Sequence, residues 1–146
     1  MNTQDGIALT GKLTISLNDE IVQETDNLVV TAGKEWVASR MEGVADGVMT
    51  HMGLGTSSTA AAAGQTALVA QHSDGRSALT DSGGIVAGAV VTFACTYPAD
   101  ECTGAITEAG IFNHVSAGDM LARTVFTVVN KGALDSMTIS WAVTIS

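Results

Sequence analysis

Hydrophobic and polar positions alternate most strictly at the end of the chain. Met137, Ile139, Trp141, Val143 and Ile145 fall on one face, and Thr138, Ser140, Ala142 and Thr144 on the other. A period of two carried by β-branched and aromatic residues predicts a half-buried antiparallel strand. The run from Leu121 to Val128 alternates less cleanly, and Ile106 to Phe112 supplies a third segment. Asn113 to Asp119, with Gly118 near its end, has the length and composition of a hairpin loop, and Asn130-Lys131-Gly132 marks the next turn. The last third of the chain therefore predicts three consecutive antiparallel strands.

Upstream, Leu9, Gly11, Leu13, Ile15 and Leu17 alternate with Thr10, Lys12, Thr14 and Ser16. Asn18-Asp19-Glu20 turns the chain, Ile21 to Glu24 returns as the other arm of a hairpin, and Asp26-Asn27 turns it again into Leu28-Val29-Val30. Thr31 reads as a helix N-cap. Trp36, Val37, Arg40, Met41 and Val44 share one face of a short amphipathic helix, which Gly43 and Gly47 end. That helix is expected to cap one open end of a β-core with Trp36 and Met41 buried. Val48 to Leu54 predicts a strand, residues 55–64 a low-complexity loop, residues 66–71 a turn or short strand, and the polar residues 72–84 a mobile loop. Val91, Phe93, Cys95 and Tyr97 alternate with Thr92, Ala94 and Thr96 to give a further strand.

These elements amount to seven to nine short strands and one helix without βαβ alternation, which predicts an all-β antiparallel sandwich or jelly roll. The 146 residues are one domain's worth, with residues 1–6 as a flexible N-terminal arm. The predicted core contains Trp36, Met41, Phe93, Phe112, Phe126, Ile139, Trp141 and Val143.

Composition narrows the function classes. Charged residues make up 14% of the chain, against about 25% in an average soluble domain, so small residues carry the surface, as suits a surface covered by partners. The net charge of −9 comes without any cluster of Lys or Arg. Nucleic-acid affinity depends on basic side chains neutralising phosphates, and anionic membranes draw on the same charge, so neither partner is expected. No basic segment followed by an apolar core opens the sequence, and the longest near-apolar run, Ile85 to Val91, is far shorter than the ~20 residues of a membrane span. Synthesis in a cytoplasm is the expectation.

Candidate chemistry is sparse. His51, His72 and His114 are scattered without a His or Cys at ligand spacing, and read as solvated or core histidines; no metal or cofactor is expected. Gly53-Leu54-Gly55 starts like a phosphate loop, but Ser58 stands where its third Gly belongs. No nucleophile elbow occurs, and no enzyme is expected. Cys95 and Cys102 flank the turn Tyr97-Pro98-Ala99-Asp100; a disulfide between them and two free thiols both remain open. Glu108 and Arg123 lie in strands that pair across the Asn113–Asp119 loop, on faces otherwise apolar. A lone charge there would cost several kcal/mol, so the pattern predicts a cross-strand ion pair that fixes the hairpin register, against the alternative that both side chains reach water or a partner.

Several motifs in order resemble small structural proteins of tailed bacteriophage particles and the N-terminal domains of some phage tail fibres. They are Asn27-Leu-Val-Val-Thr-Ala-Gly33 leading into a helix, Leu54-Gly-Thr-Ser-Ser-Thr-Ala-Ala-Ala-Ala-Gly-Gln-Thr-Ala-Leu68, Glu108-Ala-Gly-Ile-Phe112, Leu121-Ala-Arg-Thr-Val-Phe126 and Asp135-Ser-Met-Thr-Ile-Ser-Trp141, and they span residues 27–145. In related sequences the segment after Leu68 carries an acidic residue where this chain has Gln71. The resemblance implies a β-sandwich virion component without catalysis: a capsid decoration (cement) protein on the outside of the phage head, partnered by the major capsid protein and by itself as a homotrimer. A tail, baseplate or fibre-attachment protein is the alternative, and a carbohydrate-binding sandwich the third class. Decoration is favoured by the short chain, which ends inside its last strand, and by the acidic balance, which suits docking on a lattice.

Overall fold

The computed structural model describes residues 6–43 and 47–146. The expected N-terminal arm therefore lies, apart from the exposed Gly6, outside the described residues, as does Val44. Nine strands and one helix follow in the order β1 (Leu9–Leu17), β2 (Glu20–Val29), α1 (Thr31–Glu42), β3 (His51–Gly55), β4 (Gln71–Ala78), β5 (Ile85–Ala87), β6 (Val90–Tyr97), β7 (Gly104–Phe112), β8 (Met120–Lys131) and β9 (Met137–Ile145).

The all-β antiparallel class is as the alternation predicts, and the strands join in one curled sheet, ordered β4-β3-β7-β8-β2-β1-β9-β6-β5. β2 is the hinge of the curl. It pairs along most of its length with β1 yet shares only two backbone rungs with β8, Leu28 opposite Arg123 and Val29 opposite Ala122; beyond them side-chain bonds, Gln23 with Thr127 and Thr124 with Asp26, reach across. The curl brings β4 round to β6, where the Thr80 amide donates to the Ala94 carbonyl at 2.8 Å. Inside lie Leu13, Ile15, Met52, Leu54, Phe93, Cys95, Ile111, Phe126, Ile139 and Trp141, with Val143 at the edge. The Tyr97 hydroxyl crosses this interior to donate to the Met52 carbonyl at 2.7 Å, tying β6 to β3.

Several local expectations change. β2 runs straight through Asp26 and Asn27 without a turn; opposite Asn27 stands Gly11, whose missing side chain leaves the room that the Asn27 amide fills. Of residues 72–84, 72–78 are strand, within β4, and 79–84 form the turn that follows it. β4 lacks apolar alternation because it is an edge strand whose polar side chains face water, and its ladder to β3 is backbone-made. Arg76 anchors it, with the guanidinium 3.4 Å over the Phe112 ring and donating to the carbonyls of His114 and Ala117 in the hairpin loop.

The helix also differs from its sequence reading. Thr31 is its first residue rather than its cap, and the Val30 N-cap offers no side-chain acceptor. The Thr31 amide donates instead to the Ala63 carbonyl of the 56–70 segment at 2.8 Å. Gly43 ends the helix in the left-handed conformation, φ 81°, as expected of a C-terminal glycine. Gly33 seats it on β8: a Cβ there would lie 2.1 Å from the Leu121 carbonyl oxygen. Trp36 and Val37 pack partly buried against the core, but Met41 is 83% exposed, contrary to its placement in the core. It sits one turn beyond Val37, at the rim of a groove it shares with Ile7, Leu9 and Ile145.

Trp141 is fully buried, and its indole Nε1 has no hydrogen-bond partner within the described residues. An unpaired buried donor costs about 1–3 kcal/mol, so removing it offsets part of the lost ring volume. Trp141→Phe is expected to cost less than about 1.5 kcal/mol in urea denaturation, against about 3–5 for Trp141→Ala; equal losses would contradict this.

Candidate functional site

The most constrained polar group in the molecule is built on β7 and β8. Their ladder places Glu108 opposite Val125 and Gly110 opposite Arg123, so the two charged side chains are diagonal neighbours on the sheet's outer face. Both are completely buried. Arg123 donates through Nε at 2.9 Å and Nη2 at 2.7 Å to the same oxygen, Glu108 Oε2. The rest of the pair's capacity goes to the 56–70 segment, not to the hairpin. Glu108 accepts the Ala70 amide at 2.7 Å and the Val69 amide at 3.1 Å, and Arg123 Nη1 donates to the Thr59 carbonyl at 2.9 Å and to Gln65 Oε1 at 3.1 Å. The pair thus clamps a long loop over the outer face of the sheet.

Glycines make the room for this clamp. A Cβ on Gly55 would lie 2.3 Å from Glu108 Oε1 and 2.5 Å from the Ala70 carbonyl, and one on Gly110 would meet Leu68 at 2.9 Å. Gly53-Leu54-Gly55, which began like a phosphate loop, is a trough for a carboxylate and a leucine. Leu68 closes it in a second small core with Val30, Phe112 and Met120, so Phe112 is buried on the face opposite the main core.

The cysteines take one of the two states left open by the sequence. Both are buried free thiols, not a disulfide. Cys95 lies in β6, where Sγ faces the Ala78 carbonyl of β4 at 3.4 Å. Cys102 lies in the turn after it, at φ 49°, with its amide on Asp74 Oδ2 at 2.7 Å. Both residues are held against β4, Cys95 by its thiol and Cys102 by its amide. Burial pushes each thiol up to about 11, which leaves little reactive thiolate at neutral pH.

The histidines also gain surroundings that their sequence spacing does not show. His51 sits half-buried in β3 beside Thr50 Oγ1 at 2.7 Å; burial, then the positive Arg76, then His114 hold its pKa below the ordinary value. His72 lies in β4 beside Asp74, with the ring Nδ1 3.5 Å from Asp74 Oδ2.

Beside α1 runs an apolar cleft. One part of it, about 220 Å³, is lined by Trp36, Val37, Val86, Phe93, Leu121 and Val143. It shares Leu9, Val37 and Ile145 with a larger neighbouring groove of about 680 Å³ that also takes in Ile7 and Met41. Ile7, Met41, Val86 and Ile145 are exposed around it. Scattered singly through the sequence, these residues carry no period that marks a surface patch; only the curl of the sheet assembles them.

These features describe an antiparallel β-protein with an internally clamped loop and one apolar open end. No family model matches the chain, and neither a curated protein nor a solved structure matches it.

The clamp yields a double-mutant prediction. Glu108→Gln leaves Arg123 buried against a neutral partner and is expected to cost about 3–5 kcal/mol. Adding Arg123→Met is expected to recover a large part of that loss, because it removes the uncompensated charge. Chemical denaturation of the two single variants and the double variant checks it; additive losses would rule the coupling out. Gly55→Ala is expected to release the 56–70 loop, read as faster proteolysis within that segment.

Proposed function

We propose that this protein is a non-enzymatic structural component of a tailed-phage virion, and that it decorates and stabilises the head by bridging neighbouring capsid subunits. The single observation that carries the reading is the apolar groove beside α1, rimmed by the exposed Ile7, Met41, Val86 and Ile145. Contiguous exposed apolar surface on a protein this poor in charge suits docking on another protein. The order of motifs that resembles phage structural proteins points to a capsid shell as that partner, with self-association as a trimer between capsomers. Many copies, each with a modest interface, stabilise the assembled shell by mass action, because every copy binds the closed lattice and not its separated parts.

The buried aromatics support an adhesive rather than a sugar-binding surface. Phe93, Tyr97, Phe112, Phe126 and Trp141 are all inside, leaving only Trp36 partly open and none to stack on a glycan. The acidic balance, net −9, keeps free copies apart in solution and steers them to basic patches.

Cryo-electron microscopy of particles carrying the protein tests the reading. Regular density over the head shell in hundreds of copies is expected, and density confined to the tail would replace the head assignment with a tail or baseplate role. Met41→Glu is expected to reduce particle occupancy at least tenfold with no loss of melting temperature, since Met41 is exposed in the free protein. Unchanged occupancy would remove the groove from the interface.

A further inference from the structure

β4 does not run evenly beside β3. Gly53 pairs with Arg76 and Gly55 with Gln71, so the single residue Leu54 on β3 faces four residues, 72–75, on β4. The extra residues bulge outward, and Gly75 makes the bend at φ 80°. The bulge carries His72 and Asp74 to the turn between β6 and β7, where they meet Cys102. Ligand atoms of the three side chains lie within 4.8 Å of one another, and among the described residues no other group of His, Cys, Asp and Glu converges this way.

We infer that His72, Asp74 and Cys102 are the protein ligands of one divalent transition-metal ion, with Zn²⁺ the best match, which ties edge strand β4 to the β6–β7 turn. Zn²⁺ is a borderline ion that takes a soft thiolate, an imidazole and a harder carboxylate together in tetrahedral sites, and water would fill the fourth position. The spacing of the nitrogen and oxygen ligands already fits. Metal bonds of roughly 2.0–2.1 Å to nitrogen and oxygen give a tetrahedron edge of roughly 3.3–3.4 Å, and His72 Nδ1 lies 3.5 Å from Asp74 Oδ2.

The histidine is also oriented as a ligand. Its Nε2 lies 2.9 Å from the Thr103 carbonyl, which can only accept, so Nε2 carries the proton and Nδ1 the lone pair. A ring N–H held by a backbone carbonyl is the usual second partner of a metal-bound histidine. The same bond argues against a Cys–His–Asp catalytic triad, because Nε2 is committed to Thr103 and Nδ1 faces the acid. Nδ1 currently accepts the Asp74 amide at 3.1 Å. Metal binding takes that lone pair, and the exposed bulge lets the amide turn to water. Binding also replaces the Cys102 S–H bond with a sulfur–metal bond, and the proton leaves to solvent. Asp74 is 45% exposed, which gives an ion its way in.

Such an ion would close the sheet. β4 is one edge and β6 stands next to the other, and their seam rests on few bonds, among them Thr80 to Ala94. A metal held by β4 and the β6–β7 turn locks that seam from outside the core.

Cobalt titration of the reduced protein tests the assignment. One equivalent of Co²⁺ is expected to produce a thiolate-to-cobalt charge-transfer band and visible bands of tetrahedral cobalt, both displaced by Zn²⁺. Cys102→Ser is expected to abolish the charge-transfer band, whereas Cys95→Ala keeps it. His72→Gln, a change at a mostly polar edge strand, is expected to weaken Zn²⁺ about tenfold or more in competition with a chromophoric chelator. Absence of the band in folded wild-type protein, its persistence in Cys102→Ser, or unchanged affinity in His72→Gln would each overturn the inference.

Discussion

The buried contact between Glu108 and Arg123 is the constraint on which the outer face of this sheet depends. Neither charge can be tolerated alone at zero exposure, and each has more hydrogen-bonding capacity than the other can satisfy. The surplus is met by the backbone of residues 57–70 and by Gln65, so the loop is drawn onto the sheet as the remaining partner of the pair. That loop in turn supplies Leu68, which completes the small core around Phe112, and the carbonyl that receives the first amide of α1. The first turn of the helix, which Gly33 seats on β8, is thus also tied through this loop to the ion pair.

The second organising feature is the hinge at β2. Two rungs to β8 are enough to continue the sheet but not to keep it flat, so the two halves fold toward each other and the alternating apolar faces of β1, β6, β7, β8 and β9 meet inside. Closing is incomplete, which leaves a seam at β4 and β6 and an open apolar end by α1. A docking role for the open end and a metal tie across the seam are both readings of the places where the curl does not finish.

How much of this was legible in the sequence follows physical lines. Strands that alternate, such as Leu9–Leu17, Val90–Tyr97 and Met137–Ile145, bury one face and show it. β4 does not, because an edge strand held by backbone bonds needs no apolar side chains. Glu108 and Arg123 stood out as charges among apolar neighbours, yet their partners in the loop are mainly backbone groups, which have no residue signature. Met41 follows the helical period of the buried residues but overhangs the sheet, a fact set by where α1 lands rather than by its own pattern. The company of His72 was invisible because Cys102 is distant in sequence and reaches it only through the curl.

Native-state hydrogen exchange at the amides of Val69 and Ala70 tests the central claim most directly. Both sit in a segment outside the regular strands, yet both donate to Glu108. If the ion pair clamps the loop, they exchange as slowly as the core amides of β7 and β8 and lose that protection in Glu108→Gln. Exchange at the rate of exposed loop residues in the wild-type protein would mean that the loop is not held by the pair, and the account of the outer face would fail.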